Sequence, residues 1–78
     1  MIKEITVYYE LGKRIKYLRN KRNLTQLELA INCGIEAKYL SDIENGRRNP
    51  TLKILNKIAL GLHVTLEELF RGINGNYI

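Results

Sequence analysis

The sequence predicts an all-α protein that folds as a five-helix bundle. Apolar residues recur at helical spacing along most of the chain, threonines stand where three helices begin, and glycines stand where helices end. The chain has 78 residues, of which 45% are hydrophobic and 27% are charged, and this composition is typical of one small globular domain. We expect a domain over residues 9–72, flanked by an N-terminal tail at 1–8 and a C-terminal tail at 73–78.

The first helix is predicted from an apolar stripe. Leu11, Ile15 and Leu18 recur at i, i+4 and i+7, so they share one face, and the pattern ends near Arg22. Residues 1–8 alternate between apolar and polar side chains, which favours a short strand over a helical turn.

The second and third helices are separated by a tight turn. Thr25 and Glu28 have the spacing of a capping box, which predicts that a helix begins at residue 26 and runs to about 33. Gly34 then supplies the turn, and a third helix follows over about 36–44 with Gly46 as its left-handed stop. Glu36 is a weaker N-cap than Ser or Thr, so the third helix begins without a strong cap.

The fourth and fifth helices follow Pro50. Thr51 caps a helix over about 52–62, and Thr65 with Glu68 forms a second capping box before a helix over 66–70. His63 stands between these helices at a site that requires left-handed backbone.

The net charge of +5 favours a partner that carries phosphate. Seven basic and two acidic side chains lie in residues 1–22, so the excess positive charge is concentrated in the first helix.

The sequence lacks the motifs of catalytic and cofactor sites. It has one cysteine and one histidine, and it contains neither a phosphate-binding loop nor the residue spacing of a metal site. We therefore expect neither enzymatic activity nor a bound cofactor. No apolar run has the length of a membrane span, and Cys33 alone forms no internal disulfide, so we expect a cytoplasmic protein. Membrane-surface binding by the first helix is disfavoured because its apolar stripe is needed for the core.

A helical wheel places four residues of the third helix on the side opposite its apolar residues: Ala37, Lys38, Ser41 and Asp42. Such a face suits the DNA major groove, because Lys38 can donate to guanine and Asp42 can accept from the cytosine amine. The alternative is an ordinary solvated face, which nearly every helix of a small bundle has.

A longer pattern over residues 11–70 carries more information. Its most specific parts are Leu24-Thr25-Gln26, Leu29-Ala30, Gly34, Leu40-Ser41, Ile43-Glu44-Asn45-Gly46, Arg47-Arg48-Asn49-Pro50 and Leu66 to Phe70. In this order and spacing the chain resembles the Xre-like helix-turn-helix family of phage repressor and Cro type, with some controller-like features of restriction-modification systems. The resemblance implies a transcriptional regulator that binds near-palindromic double-stranded DNA as a homodimer, with the third helix as recognition helix.

The resemblance also assigns roles to residues. It implies base reading by Ala37, Lys38, Ser41 and Asp42, and contacts to the DNA backbone by Gln26, Tyr39, Arg47, Arg48, Asn49, Lys13 and Arg14. It further implies that Arg19 and Glu44 form a structural pair that joins the first helix to the third.

Two apolar sets remain outside these roles. Leu27 and Ile31 predict an exposed patch on the second helix, covered by Ile2, Ile5 and Val7 of the N-terminal tail or by a partner protein. A dimerisation surface is predicted near the C-terminus, at Leu66, Leu69, Phe70 and Ile73, with Tyr77 and Ile78 beyond them.

These two apolar sets favour an alternative function, a protein-interaction module such as an antitoxin-type partner that also binds DNA. We assign Cys33 to the core.

Overall fold

The structure, a computed structural model, describes the backbone of residues 2–75 and the side chains of residues 7–75. Within that range the chain forms helices and no strand: α1 (Ile2–Lys21), α2 (Gln26–Cys33), α3 (Ala37–Glu44), α4 (Leu52–Leu62) and α5 (Leu66–Leu69). The predicted all-α class is confirmed, and α2 has the predicted bounds. Tyr77 and Ile78 lie outside the described residues.

The N-terminal segment differs from its prediction. Residues 2–8 are the first turns of α1, so the prediction of a short strand is wrong. Each added residue extends a helix already nucleated by the packed stripe of Leu11 and Ile15, and extension costs far less free energy than nucleation. The side chains of Ile2 and Ile5 lie outside the described ones, and α1 packs against α3 and α5.

All three threonines cap their helices, but a complete capping box forms only at α2, and at α5 the predicted box has only its Thr65 half. At α2 the Thr25 amide donates to Glu28 Oε1 over 2.8 Å, and the Glu28 amide donates to Thr25 Oγ1 over 3.0 Å. Thr51 Oγ1 accepts from the amide of Ile54, and Thr65 Oγ1 accepts from that of Glu68. Glu36 makes no side-chain cap at α3, in agreement with its predicted weakness.

Two backbone positions that end helices are left-handed. Gly34 closes α2 with φ 72°, where glycine lacks the Cβ that strains this conformation. His63 closes α4 with φ 59° and ψ 42°, as the sequence predicted, and its amide donates to the Leu60 carbonyl oxygen.

The core lies where α2 packs against α3 and α4, while α1 and α5 close the other side. Its fully buried large side chains come from all five helices: Ile15, Leu29, Leu40, Ile43, Ile58, Leu62 and Leu69. Cys33 is buried in the same cluster, and burial raises the pKa of its thiol to about 11. None of the helices in the described range has the length and apolar character to cross a membrane.

Candidate nucleic-acid interface

A buried ion pair fixes the position of α3. Arg19 Nε of α1 donates to Glu44 Oε2 of α3 over 2.7 Å, and its Nη2 donates to Oε1 over 3.1 Å, so the contact is bidentate. The same guanidinium donates to the Leu24 carbonyl oxygen over 2.8 Å, just before α2. The predicted structural pair is therefore present and buried, and it sets α3 against both preceding helices.

Gln26 completes this network. Its Nε2 donates to Glu44 Oε1 over 2.9 Å, so the first residue of α2 is bonded to the last residue of α3. The half-buried Gln26 amide thus holds the two helices of the motif at a fixed angle. No local pattern in the chain predicts this bond.

The outer face of α3 carries fewer exposed side chains than the wheel predicts. Lys38 is exposed, whereas Ser41 is half-buried. Ala37 and Tyr39 are also half-buried and pack against the core.

Asp42 is the clearest departure. The prediction that its side chain projects outward is wrong, because the carboxylate is only 11% exposed. It lies beneath the loop that follows α3, and three cations surround it: Lys38 Nζ at 3.4 Å, Arg48 Nε at 3.6 Å and Arg47 Nη1 at 3.9 Å. A helical wheel treats the helix in isolation and contains no information about this loop.

The loop after α3 presents Arg47, Arg48 and Asn49 to solvent. Its fold is set by the Arg47 amide, which donates to the Asp42 carbonyl oxygen over 2.8 Å, and by Gly46, whose φ is 75°. The Arg48 guanidinium lies 5.2 Å from the centre of the Tyr39 ring, a cation-π distance. Tyr39 therefore supports an arginine of the loop.

The two basic residues of α1 are placed differently from each other. Lys13 is exposed, 5.2 Å over the Tyr9 ring. Arg14 is half-buried, and its Nε and Nη2 donate to the Glu68 carbonyl oxygen over 3.2 and 2.9 Å. Arg14 thus ties α1 to α5.

The two predicted apolar surfaces differ in how far their side chains are exposed. Leu27 and Ile31 are 60% and 69% exposed, so the predicted apolar patch is present and the described part of the chain leaves it open. Of the predicted dimerisation residues, Leu69 is completely buried in its own core, whereas Phe70 is 37% exposed. Leu66 and Ile73 are half-buried against that core.

The prediction that Leu69 contributes to a dimer surface is therefore wrong, because its side chain is buried and cannot contact a second copy. Leu60 on α4, which lies outside the predicted dimerisation set, is 66% exposed. Among the described residues no group of three His, Cys, Asp or Glu side chains has the geometry of a metal site.

Together, a short helix held by a buried ion pair, a tight glycine turn before it and a basic loop after it define the helix-turn-helix class of DNA-binding domain. Residues 15–69 match the Helix-turn-helix family model HTH_3, and the chain belongs to this family. It is a DNA-binding regulator of transcription and not an enzyme.

Individual relatives agree with this class. The control protein C.MunI of Mycoplasma sp. is 44% identical over 63 residues, which are 80% of this chain and 85% of that protein. The immunity repressor of Bacillus phage phi105 is 44% identical over 57 residues, 70% of this chain but 40% of the repressor. The crystal structure of the restriction-modification controller C.AhdI from Aeromonas hydrophila superposes with a TM-score of 0.80 at 33% identity, over 81% of this chain and 96% of the controller.

Proposed function

We propose that the protein is a controller or repressor that acts in the cytoplasm and binds a near-palindromic operator as a homodimer. In each protomer α3 enters the major groove, with the two helices about 34 Å apart, one turn of DNA. The observation that carries this proposal is the convergence of Lys38 of α3 and of Arg47 and Arg48 of the following loop around the Asp42 carboxylate, where all three cations are exposed. Controllers also match over most of their length, whereas the phage repressor matches over a smaller part.

Within this interface Lys38 and Ser41 read base edges, and the Ala37 methyl packs against a thymine methyl. Arg47, Arg48 and Asn49 bind the sugar-phosphate backbone and set the register of α3 on the duplex. We assign Arg14 a structural role instead, because its guanidinium is bonded to Glu68.

Two further residues contribute to backbone binding. The Gln26 Nε2 retains one free N–H for a phosphate, since only one of its two is used on Glu44. Lys13 is exposed and supplies longer-range attraction from α1.

Selection from a pool of random DNA duplexes by the purified protein tests the proposal. We expect enrichment of a near-palindrome whose half-sites are centred one helical turn apart. A selected pool without an enriched motif would refute sequence-specific binding. A motif with a single half-site would refute binding as a dimer.

A second candidate role is contact with a protein partner through Leu27 and Ile31, as in an antitoxin-type protein. These side chains stand one turn apart on α2, and both are more than half exposed. Co-expression with the protein encoded by the neighbouring gene, followed by size-exclusion chromatography, tests this role. A one-to-one complex that Leu27→Ser/Ile31→Ser abolishes supports it, and a complex unaffected by that variant contradicts it.

A further inference from the structure

The Asp42 carboxylate has an unusual environment for a residue on a recognition helix. It is nearly buried, yet its charged neighbours are three side chains that are each more than half exposed: Lys38, Arg47 and Arg48. Lys38 belongs to the preceding turn of α3, and the two arginines belong to the loop that covers Asp42. The acid therefore lies at the centre of the basic cluster.

The contacts within this cluster are weak enough to exchange. Their N···O distances of 3.4 to 3.9 Å exceed the length of about 2.7 to 2.9 Å for a strong charge-assisted bond. Exposed cations in such pairs contribute little to the stability of the fold. Each cation is thus available to DNA that approaches from solvent.

The position of Tyr39 limits where one of these cations can go. The Arg48 guanidinium lies over the Tyr39 ring and also contacts Asp42 Oδ2, so it is held from two sides. A phosphate that binds this guanidinium must compete with the carboxylate, and its own charge is repelled by Asp42.

We propose that Asp42 is an internal counter-charge that competes with DNA for Lys38, Arg47 and Arg48 and so limits affinity for DNA of any sequence. Asp42 is then a positioning residue and does not itself read a base. This inference rests on the proposed role of α3 and its following loop in DNA binding. Low affinity for random DNA is useful to a regulator, because random sites greatly outnumber operators.

The Asp42→Asn variant tests the proposal, since it keeps the shape of the side chain and removes its charge. The probe is a mixed-sequence duplex, and binding is measured by fluorescence anisotropy over a series of potassium chloride concentrations. We expect about tenfold tighter binding and a salt slope steeper by about one unit. Asp42→Ser, a smaller uncharged side chain, should give the same direction of change if Asp42→Asn folds poorly.

Glu36→Gln is the matched control. Glu36 is an exposed carboxylate immediately before α3, and among the described side chains it contributes to no ion pair. The Glu36→Gln variant measures the general effect of removing one negative charge near DNA, and we expect it to tighten binding about twofold. An Asp42→Asn variant that binds no tighter than Glu36→Gln would overturn the proposal.

The same substitution in a variant that lacks the three cations separates this inference from the proposed function. In Lys38→Gln/Arg47→Gln/Arg48→Gln, Asp42→Asn should add no more than the control does, because the cations through which it acts are gone. An undiminished gain there would show that Asp42 acts on DNA directly and would reject the counter-charge role. If the triple variant, shown by circular dichroism to be folded, binds DNA as tightly as the wild type, the proposed interface itself fails.

Discussion

At the scale of single residues, Arg19 and Glu44 show how a surface motif depends on a buried charge pair. Glu44 accepts from both Arg19 and Gln26, so one carboxylate connects three helices. Because this acid is the last residue of α3, its bonds to Arg19 and Gln26 hold α3 against α1 and α2. The pair is therefore a requirement of the interface as well as of the fold.

Replacement of Arg19 by Ala should lower the free energy of unfolding by about 3 to 5 kcal/mol, because Glu44 would stay buried without a compensating charge. Urea denaturation followed by circular dichroism measures this loss. Arg22→Ala, at an exposed position just beyond α1, is the control, and we expect a change within about 0.5 kcal/mol. Equal stability of the two variants would contradict the buried pairing.

Cys33 gives a prediction about pH. Its pKa is raised from 9.0 to about 11 by burial, so the folded protein keeps the thiol proton that the unfolded chain loses first. The stability due to the buried thiol is complete below pH 9.0 and decreases as the pH rises toward 11. The stability advantage of the wild type over Cys33→Ala should therefore shrink as the pH rises from 9.0 toward 11, between the unfolded and the folded pKa. A constant advantage across that range would be inconsistent with a buried, protonated thiol.

At the scale of helices, the sequence predicts helix caps and left-handed stops better than it predicts features that depend on tertiary packing. The Thr25 and Glu28 capping box defines the start of α2 through bonds within four residues, so the sequence contains everything needed to predict it. The same holds for the left-handed stops at Gly34 and His63. The N-terminal extension of α1 depends instead on a helix already stabilised by tertiary packing, which an alternating pattern in residues 1–8 does not reveal.

The environment of Asp42 illustrates what the helical pattern leaves out. The i, i+4 spacing of Lys38 and Asp42 is a signal for an ion pair and was available in the sequence. The cover over Asp42 comes from Arg47 and Arg48, whose position depends on how the loop folds back after Gly46. The bonds of Arg14 to the Glu68 carbonyl also join residues distant in sequence, and no local pattern marks them.

Gly12 sets the separation of α1 and α3. A Cβ at this position would lie 2.5 Å from the carbonyl oxygens of Ile43 and Glu44, which are backbone atoms that cannot rotate away. Gly12→Ala should therefore destabilise the fold by about 1 to 3 kcal/mol despite the higher helix propensity of alanine. Thermal unfolding measures the effect, with Lys16→Ala on the exposed side of α1 as control. If Gly12→Ala were as stable as Lys16→Ala, the close approach of the two helices would be refuted.

At the scale of the whole molecule, the proposed function requires two copies. The proposed dimer surface consists of the exposed Leu60 of α4 and Phe70 after α5, with the half-buried Leu66 and Ile73. Leu52, at the start of α4, is a further exposed apolar side chain outside this surface. Leu69 belongs to the core of its own protomer, so a dimer built on this surface leaves it in place.

The variant Leu60→Ser/Phe70→Ser should shift the protein from dimer to monomer, because it removes exposed apolar area without touching the core. Sedimentation equilibrium measures the change. Leu27→Ser/Ile31→Ser, which removes a comparable exposed pair from α2, is the control and should leave the dimer intact. The opposite result would move the dimer interface to α2.

The most direct test of the central claim compares Lys38→Ala with Arg47→Ala on an operator obtained by selection and on single-base variants of it. Lys38→Ala should lose about 1 to 3 kcal/mol of binding free energy and discriminate less between bases at one position of each half-site. Arg47→Ala should weaken binding to all these sequences equally and reduce the salt slope by about one unit. Equal losses on every sequence for both variants would contradict base reading by α3.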